Sequence, residues 1–217
     1  MKASIPVSLV LAPVALAFAL AGCARTGEID ASGGITAVRS ACPVVGVAAG
    51  TGDVTLFKTP DATDENSIDL VASMTNVRST CADAGADIAT TVTFNVEARR
   101  TDTSTARDVT LPYYIAIVRG GTNVVAKRIS RVSIHFDAGQ ARGQVAGEAS
   151  TTIARSAATL SDEVREKLTR RRKAGDEDAA VDPLTQPDVR QAVASASFEA
   201  LVGFQLTEAQ LKYNATR

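Results

Sequence analysis

Tryptophan is absent from this sequence, histidine occurs once, and aromatic residues make up only 4% of the chain. A core with so few large rings must be built mainly from Val, Ile, Leu and Ala. A surplus of charge of one sign is also lacking, because 23 Lys and Arg stand against 24 Asp and Glu. Without a concentrated basic face, the composition predicts no binding to nucleic acid.

Residues that bind metals or act as nucleophiles are equally scarce. His135 is the only histidine, whereas a catalytic zinc site usually has several histidines among its three protein ligands. Ser133 and His135 share one face of an alternating segment, but no G-x-S-x-G elbow and no third residue to orient the imidazole accompany them. We therefore expect no metal, no cofactor and no enzymatic activity, with His135 on a solvent-facing strand surface.

The first 22 residues have the three zones of a secretory signal. Lys2 supplies a positive amino end, residues 5–20 are almost wholly apolar, and small residues precede Cys23. The apolar stretch is short for a membrane-spanning helix, and Pro6 and Pro13 would weaken such a helix. The sequence therefore predicts export and cleavage of a signal peptide at 1–22.

The end of this segment, Leu20-Ala21-Gly22-Cys23, resembles the lipobox of bacterial lipoproteins. The resemblance implies that the thiol of Cys23 receives a diacylglyceryl group, that cleavage occurs before it, and that the new amino end is acylated. Two or three acyl chains, at about 0.8 kcal/mol per buried methylene, anchor a protein stably. An alanine at position 24, directly after Cys23, resembles the pattern that sorts lipoproteins to the outer membrane. This resemblance implies an anchor in the outer membrane, with the domain facing the periplasm. The alternative is an ordinary signal with a chance cysteine.

The chain after the anchor divides into three parts. Residues 23–35 are small and polar and predict a flexible tether. Residues 36–157 have the alternation of β-strands, most clearly from Ile88 to Arg99. About seven such segments predict an antiparallel β-sandwich of immunoglobulin-like size, with a small β-barrel as the alternative. Pro112 predicts an edge or a bulge in its strand, and a phase slip predicts another bulge near Arg128–Arg131.

Residues 158–217 change to a helical period and predict helices packed on the sandwich. Ser161 predicts the N-cap of a helix that runs to Ala174. Thr185 predicts the cap of a second helix, and Thr207 with Gln210 resembles a capping box for a short final turn. The apolar face of the second helix comprises Val189, Val193, Ala196, Ala200 and Phe204.

Two cysteines remain after Cys23, namely Cys42 and Cys81. Export places them in an oxidising compartment, where such a pair predicts one disulfide bond. Two free thiols and a metal-binding pair are the alternatives, and the spacing is not C-x-x-C.

A basic stretch near the predicted end of the first helix is the densest charge feature. Its members are Arg165, Lys167, Arg170, Arg171, Arg172 and Lys173. One hypothesis is contact with anionic lipid heads or cell-wall polymer. The alternative is that these cations stabilise a helix C-terminus and balance the acidic loop that follows.

The segments Ser73–Cys81 and Val118–Lys127 give the mature chain a resemblance to uncharacterised lipoproteins of alphaproteobacteria. The resemblance implies an envelope protein and brings no known activity. The features together favour a non-catalytic interaction or structural module that binds another envelope protein through a sandwich edge or its helical face, with strand addition as one mode. The alternative is a binding protein for a small ligand or cell-wall polymer, which predicts a pocket with converging polar side chains.

Overall fold

The computed structural model describes residues 40–59, 63–170, 173, 175–177 and 180–216. The predicted signal peptide and the whole of the predicted tether, with Cys23 and the lipobox, lie outside the described residues. Contacts divide the chain into two units, Met1–Val38 with Leu168–Val181, and Arg39–Lys167 with Asp182–Arg217. The second unit contains all the described strands.

Eight described strands form two four-stranded sheets. They are β1 (Val44–Val47), β2 (Asp53–Phe57), β3 (Ile68–Ala84), β4 (Asp87–Arg100), β5 (Arg107–Arg119), β6 (Asn123–Phe136), β7 (Arg142–Ala154) and β8 (Phe198–Phe204). One sheet has the order β1-β8-β5-β6 and the other has the order β2-β3-β4-β7. Neighbouring strands are antiparallel except β1 and β8, which are parallel. The predicted sandwich is confirmed, and its two separate sheets contradict the barrel alternative.

Four α-helices accompany the sheets among the described residues: α1 (Arg155–Ala158), α2 (Asp162–Thr169), α3 (Pro187–Ser195) and α4 (Glu208–Thr216). Two single-turn 3-10 helices, Glu65–Ser67 and Pro183–Thr185, lie in connections. Ser161 caps α2 as predicted, since its hydroxyl accepts from the N–H of Val164 at 3.4 Å. The helix ends at Thr169, short of the predicted Ala174. The capping box before α4 is confirmed, because Thr207 and Gln210 exchange side-chain to main-chain hydrogen bonds of 2.9 and 3.3 Å.

The core lies between the two sheets and follows the period of two expected from the sequence. In β4 the residues that point inward are all buried: Ile88, Thr90, Val92, Phe94, Val96 and Ala98. The ring of Phe94 packs edge-on against Tyr113 of the other sheet, with centroids 5.0 Å apart. Gly147 makes room for this ring, because a Cβ there would lie 2.3 Å from it. Gly147 is the register partner of Phe94, so β7 can pair with β4 around this ring only with glycine at position 147.

The prediction of helix was wrong at 198–204, where the chain forms β8. This strand pairs with both β1 and β5 and is a central strand of its sheet. Phe198, Ala200, Val202 and Phe204 are buried at every second position, so the segment also satisfies the strand period. Helix α3 stops at Ser195, and its N-cap is Gln186 rather than Thr185.

Two details of the β5–β6 hairpin also differ from the prediction. Pro112 lies within β5, which is a central strand and not an edge. The β8 ladder ends beside it: beyond the last register pair, Tyr113 with Phe204, the N–H of Gln205 still donates to the oxygen of Pro112 at 2.9 Å, but Pro112 has no N–H to return the bond. The bulge expected near Arg128–Arg131 lies earlier, where Val125 is the extra residue between Val124 and Ala126.

Cys42 and Cys81 form the predicted disulfide bond, with their Cα atoms 6.1 Å apart. Cys42 precedes β1 of one sheet and Cys81 lies on β3 of the other, so the bond joins the two layers. The two cysteines are 39 positions apart. A closed loop of that size stabilises the fold by about 4 kcal/mol in the chain-entropy model.

A buried arginine holds the opposite end of the sandwich together. Arg100, at the end of β4, is only 2% exposed, and its guanidinium lies over the ring of Phe136 at 5.1 Å. It donates to three main-chain oxygens, those of Thr105 at 2.7 Å, Asp137 at 2.7 Å and Gln140 at 2.8 Å. These oxygens belong to the β4–β5 and β6–β7 connections, which are links between the two sheets. Hydrogen bonds from a buried charge are strong, and they are costly to leave unmade.

Replacing Arg100→Met should lower the free energy of unfolding by about 3–5 kcal/mol, because it leaves three carbonyl oxygens without their donor. Equilibrium denaturation in urea measures the change. Arg99→Met is the matched control, since Arg99 is the exposed neighbour on the same strand, and we expect a change within about 0.5 kcal/mol. Equal effects of the two substitutions would refute the role of Arg100.

Candidate interaction surface

The first part of β6 is an exposed sheet edge. Nine consecutive residues, from Asn123 to Arg131, are exposed, and only Val132, Ile134 and Phe136 are buried. The exposed part carries three large apolar side chains, Val124 at 57%, Val125 at 48% and Ile129 at 58%. The strand pairs with β5 alone among the described residues, and therefore presents one row of main-chain N–H and C=O groups to solvent.

The residues whose main-chain groups face this open edge follow from Pro112. The oxygen of Pro112 accepts from the N–H of Gln205 at 2.9 Å, on the β8 side of β5. Pro112 and its partner Arg131 are therefore a non-hydrogen-bonded pair, and the main-chain groups of Arg131 point away from β5. Because the pattern alternates, the N–H and C=O of Ile129 and Lys127 also face the open edge.

The same strand segment is basic. Lys127, Arg128 and Arg131 lie on it, and no acidic residue occurs from Asn123 to Phe136. The ammonium of Lys127 lies 4.3 Å from the ring centroid of Tyr114, whose hydroxyl is 3.3 Å from the hydroxyl of Thr51. This cation–π contact holds the charge of Lys127 on the outer face of the sheet.

The other three sheet edges offer less. Strands β1 and β2 have only four and five residues. None of the large exposed apolar side chains of the described residues lies on β7. Short strands and polar side chains are the usual protection of a sheet edge, which singles out β6. The signal in the sequence was the occurrence of three cations, Lys127, Arg128 and Arg131, within an apolar strand. The sequence did not predict that the apolar residues beside them, Val124, Val125 and Ile129, are exposed.

His135 lies further along β6, between two carboxylates. Its Nδ1 is 2.8 Å from an oxygen of Asp108, and its Nε2 is 3.4 Å from an oxygen of Asp137. The hydrogen bond to Asp108 and the charge of that carboxylate raise the pKa of His135 above its ordinary value, with a smaller contribution from Asp137. The group lies on an exposed surface, as predicted for this residue.

Each ring nitrogen of His135 faces a carboxylate, Nδ1 that of Asp108 and Nε2 that of Asp137, rather than Ser133. The hydroxyl of Ser133 instead shares a hydrogen bond of 2.8 Å with that of Thr110. This arrangement is typical of a polar strand surface.

A cavity between the layers is small, about 70 Å³. Its lining is mainly apolar, with residues such as Val54, Leu111 and Phe204, and Gln205 and Gln210 contribute amides. Sites for drug-sized ligands occupy about 300–1,000 Å³, so this cavity holds at most a few waters. Among the described residues, no three His, Cys, Asp or Glu side chains come together as a metal site requires.

No protein family, curated protein or solved structure matches this chain. What the chain does must therefore be inferred from its own residues. No described helix is both long and apolar enough to cross a membrane.

The predicted basic stretch is partly engaged in ion pairs. Arg165 pairs with Asp162, and Lys167 bonds to Asp188 at 3.1 Å and to Glu163 at 3.3 Å. The hydrogen bond to Asp188, followed by that to Glu163, raises the pKa of Lys167 above its ordinary value. Arg170 and Lys173 are exposed, while Arg171 and Arg172 lie outside the described residues. Contact with an anionic surface remains a hypothesis for this stretch.

Replacing Asp108→Asn should lower the pKa of His135 towards its ordinary value, because it removes the main partner of the imidazolium. The raised pKa also means that protonation stabilises the folded state. This contribution is fully present below the unfolded pKa of about 6.5 and is lost as the pH rises through the folded pKa. NMR titration of the single histidine measures the shift. Asp137→Asn is the control and should give the smaller change; a larger change there would contradict the assignment.

Proposed function

We propose that this chain is a membrane-anchored bacterial lipoprotein whose β-sandwich is a non-catalytic interaction module of the cell envelope. Cys23 would carry the lipid, and the domain would face the periplasm from the outer membrane. The lipobox residues Leu20 to Cys23 support the anchor. The disulfide bond between Cys42 and Cys81 is typical of an oxidising compartment and supports export.

The open edge of β6 is the observation that carries the interaction role. An extended segment of a partner can add to such an edge as a further strand, with main-chain hydrogen bonds supplying affinity. The main-chain N–H and C=O groups of Lys127, Ile129 and Arg131 face the position of an added strand. The edge of β6 thus offers main-chain hydrogen bonds at three alternate residues. The partner would be another protein of the envelope.

The alternative roles have weaker support. The cavity of about 70 Å³ among the described residues is smaller than the pocket that a small-ligand binding protein would need. A nucleophilic enzyme would need a base for Ser133, but the ring nitrogens of His135 face Asp108 and Asp137. Strand addition at the edge of β6 needs neither a large cavity nor a catalytic base.

The lipid anchor predicts the intact mass of the full chain extracted from its own membrane. We expect the mass of residues 23–217 plus two or three acyl chains, with Cys42 and Cys81 resistant to alkylation until the disulfide is reduced. Cys23→Ser should remove the acyl mass. An unlipidated wild-type chain of the mature length would refute the anchor and leave a secreted domain.

Strand addition predicts that docking depends on one amide of the edge. A photo-crosslinking amino acid at Val125 of the full chain, in its native membrane, should give an adduct of defined mass. Ile129→Pro should abolish the adduct, because it deletes an outward N–H that the β5–β6 ladder does not use. Ile129→Thr keeps the N–H and should retain the adduct.

Circular dichroism and the melting temperature of the Ile129→Pro chain establish that its sandwich is intact. The same crosslinker at Thr152, on the edge strand β7, serves as the control for position. An adduct that persists in the Ile129→Pro chain would refute docking by strand addition.

A further inference from the structure

The outer face of β6 presents a regular sequence of side chains beside its open edge. Lys127 lies opposite Ala116, Ile129 opposite Tyr114, and Arg131 opposite Pro112. Side chains at every second position of a strand share a face, so this face presents a cation, an aliphatic residue and a second cation in order. The three residues are also those whose main-chain groups point to the edge.

The charge on this strand argues against a second copy of the same chain as the occupant. Two β6 strands paired about a two-fold axis would bring Lys127, Arg128 and Arg131 of one chain beside the same cations of the other. Like charges opposite one another destabilise a strand pair, and β6 has no acidic residue to balance them. The edge is therefore protected against self-association and complementary to negative charge.

Resting on the interaction role proposed above, we infer that the β6 edge binds an extended acidic segment of another protein as an added strand. The segment has an acidic residue at position i, an aliphatic residue at i+2 and an acidic residue at i+4. In an added strand the Cβ atoms of directly opposite residues lie about 4.5–5.5 Å apart. The two acids meet Lys127 and Arg131, and the aliphatic residue covers Ile129, which is 58% exposed.

Two features of the surface prepare it for such a segment. The contact between Lys127 and the ring of Tyr114 restricts the lysine side chain before binding, so less conformational entropy is lost on pairing. The pairing of β6 with β5 continues in register from Ala126 to Phe136, which keeps the edge straight over the three positions. The bulge at Val125 ends this regular stretch on the amino-terminal side.

The test uses the full chain in detergent micelles and two nine-residue fluorescent peptides. One peptide has Glu, Val and Glu at alternate central positions, and the other has Lys in place of both Glu residues. Fluorescence anisotropy should show that the chain binds the acidic peptide about tenfold or more tightly than the basic one, with an affinity that falls as salt is added. Ile129→Pro should abolish binding of the acidic peptide.

The charge-reversed chain Lys127→Glu/Arg131→Glu should invert the preference and bind the basic peptide more tightly. The matched control is Arg78→Glu/Arg99→Glu, which changes the net charge equally at exposed positions of the other sheet. Its preference for the acidic peptide should stay within about twofold of the wild type. Both variants alter exposed side chains, and their melting temperatures verify the fold.

Three outcomes would overturn the inference: equal affinity for the two peptides, no inversion in the charge-reversed chain, or a β6-dependent dimer in sedimentation. If either of the first two occurs while the Val125 adduct still depends on Ile129, the edge docks a partner of different chemistry, and the proposed interaction role stands. A β6-dependent dimer makes a second copy of this chain the occupant and refutes docking of another envelope protein at this edge. Loss of that dependence removes the interaction role itself.

Discussion

The sandwich depends on how one buried positive charge is accommodated. The guanidinium of Arg100 replaces its lost water with three main-chain oxygens from the two connections that cross between the sheets, and with the ring of Phe136 at the end of β6. Burial of an arginine is tolerated only when its donors are satisfied, so the two connections must come together at this point. The disulfide bond joins the layers elsewhere, through Cys42 and Cys81. The layers are thus fastened by a covalent bond and by polar contacts, which include the ion pair between Arg107 of β5 and Asp69 of β3 at 2.8 Å.

The exposed edge is related to this arrangement. The β6–β7 connection is held by Arg100 through Asp137 and Gln140, and the buried residues of β6 are its last inward-facing ones, Val132, Ile134 and Phe136. The earlier residues of the strand keep their pairing with β5 but lack cover on either face. Apolar area left uncovered on a paired strand is unusual in a monomer, and it is characteristic of surfaces that bind another chain. The part of β6 that is far from Arg100, from Asn123 to Arg131, is therefore the exposed part.

Strand periodicity was the most dependable signal in the sequence. The alternation from Ile88 to Arg99 corresponds to the buried and exposed faces of β4. A strand with one face on the core and the other in solvent must alternate apolar and polar residues. The prediction of helix at 198–204 was wrong because this segment is short and almost continuously apolar. Such a segment satisfies the periods of both helix and strand. Only its neighbours β1 and β5, distant in sequence, decide the outcome. The disulfide bond could be predicted because only two cysteines remain besides Cys23. The exposure of β6 could not be predicted, since it depends on strand order, which periodicity does not encode.

The position of the disulfide bond also governs how the domain responds to mechanical load. Cys42 comes before the first strand, so a force pulling on the chain from its amino end reaches Cys42 first. From there the covalent bond passes tension directly to Cys81 on the 17-residue strand β3. The short parallel pair of β1 and β8, which has only four matched residues, does not carry this tension. A force applied from the amino-terminal side would thus load the pairings of β3 before it loads the β1–β8 pair.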